Sequence, residues 1–358
     1  MSAISFFLPL HVKTKCMLQA QYCSYRLDFR FEARTSRAVM HHKDTYLIRI
    51  YDSAAPEKTV GVGECPLFAG LGADDLPDYE SRLAAACRNP ESALVETYSS
   101  IRFGFESALG RVAYDPSWLA GGYGIATNGL IWMGDKATMA LRIDEKLRQG
   151  FKVLKLKIGG INFDEEIELL ASIRRRYSPE TLEIRLDANG SFSPENAMNR
   201  LDRLSRFSIH SLEQPVKAGQ TEAMRRICAG SPIAIGLDEE LIGTRTYAEA
   251  ENLVDFIRPQ YLILKPSLCG GFSGSDAYID IADRCGIGWW ATSALESNIG
   301  LAAIAAWVAA KKTSLPQGLG TGMLYSNNIE SPLEMCGERL WCKPEGVWQS
   351  VDILPWKN

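Results

Sequence analysis

The chain has 358 residues, enough for two domains or for one large barrel with an appended domain, and too many for a single small domain. Its net charge of −4 excludes a general electrostatic attraction to nucleic acid or to anionic membranes. Nine cysteines without a Cys-x-x-Cys pair predict free thiols in a reducing compartment, and no apolar run approaches the roughly 18 residues of a membrane span, so we expect a cytoplasmic protein.

The first 125 residues or so predict an α+β domain. The stretches "YRLDFRFEARTSR" and "TYLIRIYDS" alternate apolar and polar residues like antiparallel strands, and residues 78–109 carry helical patterns. The glycine-rich segment "AGGYGIATNG", residues 120–129, then predicts a domain boundary. We therefore expect an extension of unassigned role at residues 1–23, an α+β domain at residues 24–125, and a second domain from residue 126.

From residue 126 onward, short apolar strands alternate with helical segments. The predicted strands are "NGLIW", "VLKLKI", "LEIRLD", "HSLEQP", "IAIGLD", "YLILKP", "WWATS" and "QGLG". Eight strands with helices between most of them are typical of a parallel barrel. The sequence therefore predicts an α/β protein in which residues 126–329 form a (β/α) barrel.

A charged residue lies at or near the C-terminal end of five consecutive predicted strands, namely Lys157, Asp187, Glu213, Asp238 and Lys265. These residues are 30, 26, 25 and 27 positions apart, and each interval is close to one strand-loop-helix-loop unit. In a closed barrel these strand ends converge at one mouth, where barrel active sites lie. Structural ion pairs would explain any single one of the five, but five at matched depth predict a bound cation and a charged substrate.

The charged residues also indicate a type of chemistry. Carboxylates without histidine or cysteine favour a hard cation, so Asp187, Glu213 and Asp238 are predicted ligands of Mg²⁺ or Mn²⁺ and not of zinc. Lys157 is a candidate general base, and Lys155 on the same strand face would disfavour its ammonium form. A lysine base beside a divalent cation suits removal of a proton α to a carboxylate. The predicted partner is a small carboxylate substrate, and we expect binding to neither nucleic acid nor membranes. A homo-oligomer is possible.

Strand register assigns the third metal ligand. Asp238 shares the inward face of its strand with Gly236 and Ala234. Glu239 should point at the helices, because successive strand residues face opposite sides. We therefore predict Asp238, and not Glu239, as the third ligand.

Several motifs then resemble a known family. "KLK", "LDANG", "LEQP", "LDEE" and "LKPS", in this order and spacing, are similar to the barrel motifs of the enolase superfamily, in its muconate-lactonizing-enzyme subgroup. "GVGECPL" at residues 61–67 and "TSR" at residues 35–37 resemble the loops of that family's capping domain, which close over substrate. The resemblance implies a modified TIM barrel of the (β/α)7β type with an N-terminal α+β capping domain, against which residues 330–358 pack.

Within the subgroup, "RFGFESAL", "NGLIWMG", "ALESNIG" and "GLGTGML" most resemble the o-succinylbenzoate synthase family of menaquinone biosynthesis. That family dehydrates 2-succinyl-6-hydroxy-2,4-cyclohexadiene-1-carboxylate (SHCHC) to o-succinylbenzoate. The resemblance implies Lys157 as the base and then the acid, Lys265 as the opposite cation, and Lys155 as a supporting lysine. It places four residues at the substrate: Ser293, Glu296, Gly320 and the capping-loop residue Ser36.

Other functions stay open at this point. An N-acylamino acid racemase or a dipeptide epimerase would use the same two lysines on opposite faces of one carbon. Dipeptide epimerases carry an acidic Asp-x-Asp pair at the last strand, where this chain has Gly320, Thr321 and Gly322, but an N-succinylamino acid has no ammonium group to hold. A Schiff-base aldolase using Lys265 would leave the three carboxylates unexplained, and a non-catalytic barrel would not need all five charges.

Overall fold

The computed structural model describes residues 17–34 and 39–357. Ser36, which the resemblance places at the substrate, lies outside the described residues. Among the described residues, none of the helices combines the length and the hydropathy of a transmembrane span. The eight cysteines in that part are free thiols, and six of them are buried.

The N-terminal domain packs helices on an antiparallel sheet. Its strands follow in the order β1 (Leu18–Arg34), β2 (Val39–Asp52) and β3 (Ala55–Cys65). Its helices are α1 (Tyr79–Arg88), a 3-10 helix (Pro90–Val95), α2 (Ser99–Ala108) and the short α3 (Pro116–Leu119). The first strand begins at Leu18, so it includes residues that we expected to belong to the N-terminal extension.

Glycines let α2 lie directly against β3. A Cβ atom at Gly104 in α2 would lie 2.7 Å from the backbone oxygen of Glu64 and 2.4 Å from Cys65 Sγ. A Cβ atom at Gly63 would likewise lie 2.2 Å from the backbone oxygen of Gly104. The glycines in the "GVGEC" motif therefore allow close approach between strand and helix.

The second domain is the predicted parallel barrel. Seven strands lie side by side in chain order: β5 (Gly129–Ile131), β6 (Val153–Lys157), β7 (Glu183–Asp187), β8 (Ser211–Glu213), β9 (Ala234–Leu237), β10 (Tyr261–Leu264) and β11 (Gly288–Ala291). The predicted eighth strand is reduced to two bridging residues. Gln317 pairs with Thr127 before β5, and Gly318 pairs with Thr292 after β11, so this segment links the two outer strands.

Helices follow most of the barrel strands. They are α4 (Lys136–Arg148), α5 (Phe163–Arg176), α6 (Ala197–Ser205), α7 (Thr221–Gly230), α8 (Tyr247–Ile257), α9 (Gly271–Cys285) and α10 (Asn298–Lys311), with 3-10 helices at Glu239–Leu241 and Gly322–Leu324. The side chains on the helix side of the strands, such as Leu156, Leu186 and Leu212, are almost completely buried. The core therefore lies between the barrel and its helices, and the α/β barrel prediction is confirmed.

The C-terminal residues return to the N-terminal sheet. Strands β12 (Leu333–Cys336) and β13 (Arg339–Cys342) form a small antiparallel sheet with β4 (Ile125–Ala126). Further on, Lys357 pairs with Tyr22 of β1, and the Thr59 hydroxyl donates to Asp352 at 2.9 Å. The end of the chain therefore packs against the N-terminal domain.

Candidate active site

A pocket of about 370 Å³ opens at the C-terminal mouth of the barrel, between the two domains. Met40, Phe68 and Leu71 line it from the N-terminal domain, and Trp132 and Leu295 line it from the barrel. Its upper wall is therefore mainly apolar. Lys157, Asp187 and Lys265 line its floor, and Glu213 and Asp238 lie next to Asp187.

Three buried carboxylates meet at this floor. Asp187 and Glu213 end the neighbouring strands β7 and β8 and stand opposite each other in the ladder. Asp238 follows β9 directly. One carboxylate oxygen from each of the three lies within 4.8 Å of the others. The structure thus brings together the three residues predicted as metal ligands.

The electrostatics of the carboxylate cluster fit a bound cation. Burial raises the pKa of Glu213 to about 7, against the opposing effect of Lys155. Burial also acts to raise the pKa of Asp187, but Lys155 and Lys157 outweigh it and lower that pKa. Glu213 Oε1 is buried and has no hydrogen-bond partner among the described residues. Three carboxylates offer hard oxygen ligands, and one of their oxygens, Glu213 Oε1, receives no hydrogen bond from the described residues. This arrangement suits a divalent ion such as Mg²⁺.

Three lysines surround the cluster. Lys155 Nζ contacts Glu213 and lies 3.1 Å from Asp187 Oδ2, and Lys157 Nζ also lies 3.1 Å from Asp187 Oδ2. Lys265 Nζ lies 2.5 Å from Asp238 on the other side. Burial would lower the pKa of Lys155, but the carboxylates outweigh it and raise that pKa, so Lys155 stays an ammonium. Lys157 and Lys265 come from β6 and from the end of β10, and they flank the carboxylates.

The position of Glu239 differs from the prediction. We expected its side chain to point at the helices, but Glu239 lines the pocket and is only 6% exposed. The prediction was wrong because β9 ends at Leu237 and a 3-10 helix starts at Glu239. Asp238 has φ −123° and ψ −85°, which is not strand geometry, so the alternation of faces stops there. Glu239 is therefore a pocket residue that sequence reasoning missed.

Asn189 is a second residue that sequence reasoning missed. Its side-chain oxygen accepts a hydrogen bond from Lys157 Nζ at 2.6 Å, and its side-chain nitrogen donates to Glu239 Oε1 at 3.0 Å. Its backbone is left-handed, with φ 43°. The only sequence signal was the Asn-Gly pair in "LDANG", which indicates a turn but not the direction of the side chain.

The residues predicted at the substrate take two different positions. Ser293 and Gly320 line the pocket. Glu296 is fully buried behind the pocket wall, where it accepts hydrogen bonds of 2.5 Å from the hydroxyls of Ser267 and Ser293. The carboxylate of Glu296 therefore holds Ser293 in place and does not itself form part of the wall.

Comparison with known proteins places the chain among relatives with this architecture. The family described as "Enolase C-terminal domain-like" matches residues 138–340. The chain is 44% identical to the o-succinylbenzoate synthase of Desulfotalea psychrophila, over 88% of this chain and 97% of that protein.

Solved structures agree with the sequence comparison. The crystal structure of MenC from Desulfotalea psychrophila matches with a TM-score of 0.75 and 40% identity, covering 90% of this chain and 99% of that one. Muconate lactonizing enzyme from Pseudomonas fluorescens matches with a TM-score of 0.78 at 21% identity, covering 93% of this chain and 97% of that one, which is a likeness of fold. The chain therefore belongs to the enolase superfamily, as the resemblance of its barrel motifs implied.

Proposed function

We propose that this protein is an o-succinylbenzoate synthase, a lyase that removes water from SHCHC to give o-succinylbenzoate in menaquinone biosynthesis. The observation that carries the proposal is the 44% identity to a synthase of that name, which spans 97% of that relative. The five charged residues at and next to the floor of the pocket would supply the groups that such a reaction needs.

Asp187, Glu213 and Asp238 would hold one divalent ion, for which Mg²⁺ is our proposal and Mn²⁺ the substitute. The ion would supply positive charge next to the substrate carboxylate, where negative charge develops when the α-proton leaves. The apolar upper wall around Phe68 and Trp132 would exclude water from the reacting carbon.

The lysines would move the proton. In this proposal Lys157 removes the α-proton and then donates a proton to the leaving hydroxide, so that one residue serves both halves of the elimination. Lys265, on the opposite side of the pocket, contributes a fixed positive charge to the anionic intermediate. Lys155 keeps a second ammonium beside Asp187 and Glu213.

The last barrel segment favours dehydration over dipeptide epimerisation. Gly320 and Thr321 line the pocket there, and Gly322 begins a short 3-10 helix. These residues offer no carboxylate for a substrate ammonium group. An N-succinylamino acid has no such group, so racemisation of that class of compound is the second activity to measure.

The direct test is incubation of purified protein with SHCHC and Mg²⁺, followed by the loss of substrate and the appearance of o-succinylbenzoate. Lys157→Ala and Lys265→Ala should abolish turnover while keeping the circular dichroism spectrum of the wild type. Lys152→Ala, which removes an exposed lysine just before β6, is the matched control and should stay active. EDTA should stop the reaction, and insensitivity to EDTA would favour the aldolase alternative.

A wild-type protein that is inert with SHCHC but racemises N-succinylamino acids would refute the synthase assignment. It would still support removal of a proton α to a carboxylate as the reaction class. A protein that binds no Mg²⁺ and converts neither substrate would favour a non-catalytic barrel. For the setting of the enzyme we propose the cytoplasm and a small carboxylate as its partner, because its described cysteines are free thiols and its pocket floor carries lysines.

A further inference from the structure

The carboxylate of Glu239 forms the end of a hydrogen-bonded chain that leads to Lys157. Glu239 Oε1 accepts from Asn189 Nδ2 at 3.0 Å, and Asn189 Oδ1 accepts from Lys157 Nζ at 2.6 Å. All three residues line the pocket. Among the described residues of that lining, the acidic ones are Asp187, which belongs to the carboxylate cluster, and Glu239, which does not.

Glu239 can influence Lys157 because it fixes the orientation of the Asn189 side-chain amide between them. The Asn189 side chain has one end that accepts and one end that only donates. Lys157 Nζ is a donor, so it binds the oxygen end and would be repelled by the NH₂ end. A carboxylate is an acceptor, so its contact with Nδ2 fixes the amide with the oxygen turned toward Lys157.

The backbone of Asn189 is already held in place. Its N–H donates to Asp187 Oδ1 at 3.1 Å, and the next residue, Gly190, donates its N–H to the backbone oxygen of Gln214 at 2.7 Å. The left-handed φ of 43° keeps the side chain on a short, tight turn. With the main chain fixed in this way, the remaining freedom is rotation of the amide, which Glu239 controls.

We infer that Glu239 is a positioning residue, which orients the Asn189 amide and through it holds Lys157 Nζ in place for proton transfer. The inference rests on the proposed role of Lys157 as the base. It assigns no proton to Glu239, and it requires only that residue 239 accept a hydrogen bond. This requirement separates positioning from a purely electrostatic effect of the charge.

Glu240 provides a matched control. It is the next residue of the same 3-10 helix, is 7% exposed, and also accepts from a side-chain amide, that of Gln214, at 3.1 Å. Its other oxygen accepts from the N–H of Gly219 at 3.0 Å, outside the pocket lining. Glu240→Gln therefore removes a neighbouring buried charge without touching the contact to Lys157.

The experiment compares Glu239→Gln, Glu239→Leu and Glu240→Gln with wild type in the presence of Mg²⁺. A glutamine at position 239 can still accept from Asn189, so its kcat should stay within about fivefold of wild type. Leucine cannot accept, and its kcat should fall by roughly a hundredfold with KM changed less than about threefold, because small displacements of reacting groups cost about that much. Glu240→Gln should retain the wild-type kcat within about twofold.

Two further measurements separate positioning of Lys157 from damage to the metal site. Mn²⁺ titration followed by electron paramagnetic resonance should give the same affinity for wild type and Glu239→Leu, since a loss would mean that the adjacent Asp238 had moved. A crystal structure of Glu239→Leu should show the Asn189 amide turned and Lys157 Nζ displaced. Equal losses of kcat in the glutamine and leucine variants, weaker Mn²⁺ binding in the leucine variant, or an unmoved Lys157 would each overturn the inference.

Failure of the synthase assignment would look different. Exchange of the α-proton of an N-succinylamino acid with deuterated water also depends on Lys157 and needs no dehydration. If the wild type exchanges that proton but leaves SHCHC unchanged, the proposed function is wrong, and the order of the three variants in the exchange assay still decides the role of Glu239. If the wild type does neither, the crystal structure of the leucine variant decides it.

Discussion

Replacement of Glu64 by leucine should weaken the contact between the N-terminal domain and the barrel. Glu64 lies near the end of β3 and is fully buried. Its carboxylate accepts four hydrogen bonds: from the Thr45 hydroxyl at 2.8 Å, from the N–H and hydroxyl of Ser297 at 3.1 and 2.6 Å, and from the N–H of Gly300 at 3.1 Å. Ser297 is the N-cap of α10, so the negative charge also lies at the favourable end of that helix.

The magnitude follows from what leucine would leave behind. The N–H groups of Ser297 and Gly300 would lose this acceptor inside the protein. The Lys43 ammonium, which is buried and has no hydrogen-bond partner among the described residues, would lose one of the carboxylates that oppose the lowering of its pKa by burial. Removing one member of such a buried charged network costs about 3–5 kcal/mol. At about 2 °C per kcal/mol for a large domain, the melting temperature should fall by roughly 8 °C.

Thermal unfolding at pH 7, followed by circular dichroism, measures this effect. Glu57→Leu is the control, because Glu57 is an exposed carboxylate on the same strand, and its loss should change the free energy of unfolding by less than about 0.5 kcal/mol. Glu64→Gln should lie between the two, since an amide oxygen can accept only part of the four hydrogen bonds. If Glu64→Leu melts within about 2 °C of wild type, the carboxylate does not stabilise the contact between the domains.

Three other predictions concern packing, pH and thiol chemistry. Gly104→Ala should lower the urea midpoint and reduce the free energy of unfolding by about 1–3 kcal/mol, because the new Cβ atom would lie 2.7 Å from the Glu64 backbone oxygen. An unchanged or higher midpoint would show that β3 can move away to make room for the Cβ atom. Burial raises the pKa of Glu106, so its contribution to stability is present below its unfolded value of about 4.3 and is lost as the pH rises through the folded value. The stability advantage of wild type over Glu106→Gln should therefore be greater at pH 4 than at pH 7, and a difference independent of pH would contradict the shift. Burial raises the pKa of Cys269 to about 12, so a thiol reagent at pH 8 should modify Cys269 in urea but not in the native protein, as read by peptide mass spectrometry.

Much of the fold could be predicted because barrel strands have strong local signals. The alternation in "VLKLKI" and "LEIRLD" places Lys157 and Asp187 on one face, and the structure pairs these two residues directly across β6 and β7. The charged residues are spaced by about one strand-loop-helix-loop unit, and this spacing predicts that the strand ends converge. The eighth strand was harder, because two bridging residues at Gln317 and Gly318 are too few for a pattern of period two.

Contacts between the domains had no such signal. Glu64 and Ser297 are 233 positions apart, and nothing in "GVGEC" indicates that its carboxylate binds the start of a barrel helix. The same holds for Glu106, which accepts from the N–H of Phe272 at 2.6 Å, at the start of α9. A helix terminus has free N–H groups in any protein, so the sequence shows that an acceptor is needed but not which residue supplies it.

The residues that sequence reasoning found and those that it missed differ in the geometry of their backbone. Side chains alternate faces along a strand, so the faces of Asp187 and Glu213 can be predicted by counting residues. Asn189 lies in a turn, and Glu239 comes after Asp238, where the strand geometry ends, so no simple period predicts where these two side chains point. The groups proposed to carry out the reaction and the residues proposed to orient them differ in the same way. The groups that we propose for the metal and the proton stand at rigid strand ends, whereas Asn189 lies in a turn, Glu239 begins a 3-10 helix, and Phe68 of the pocket lining lies in a loop. Loops can change while the strands stay, which explains how the muconate lactonizing enzyme shares this fold at 21% identity under a name for a different reaction.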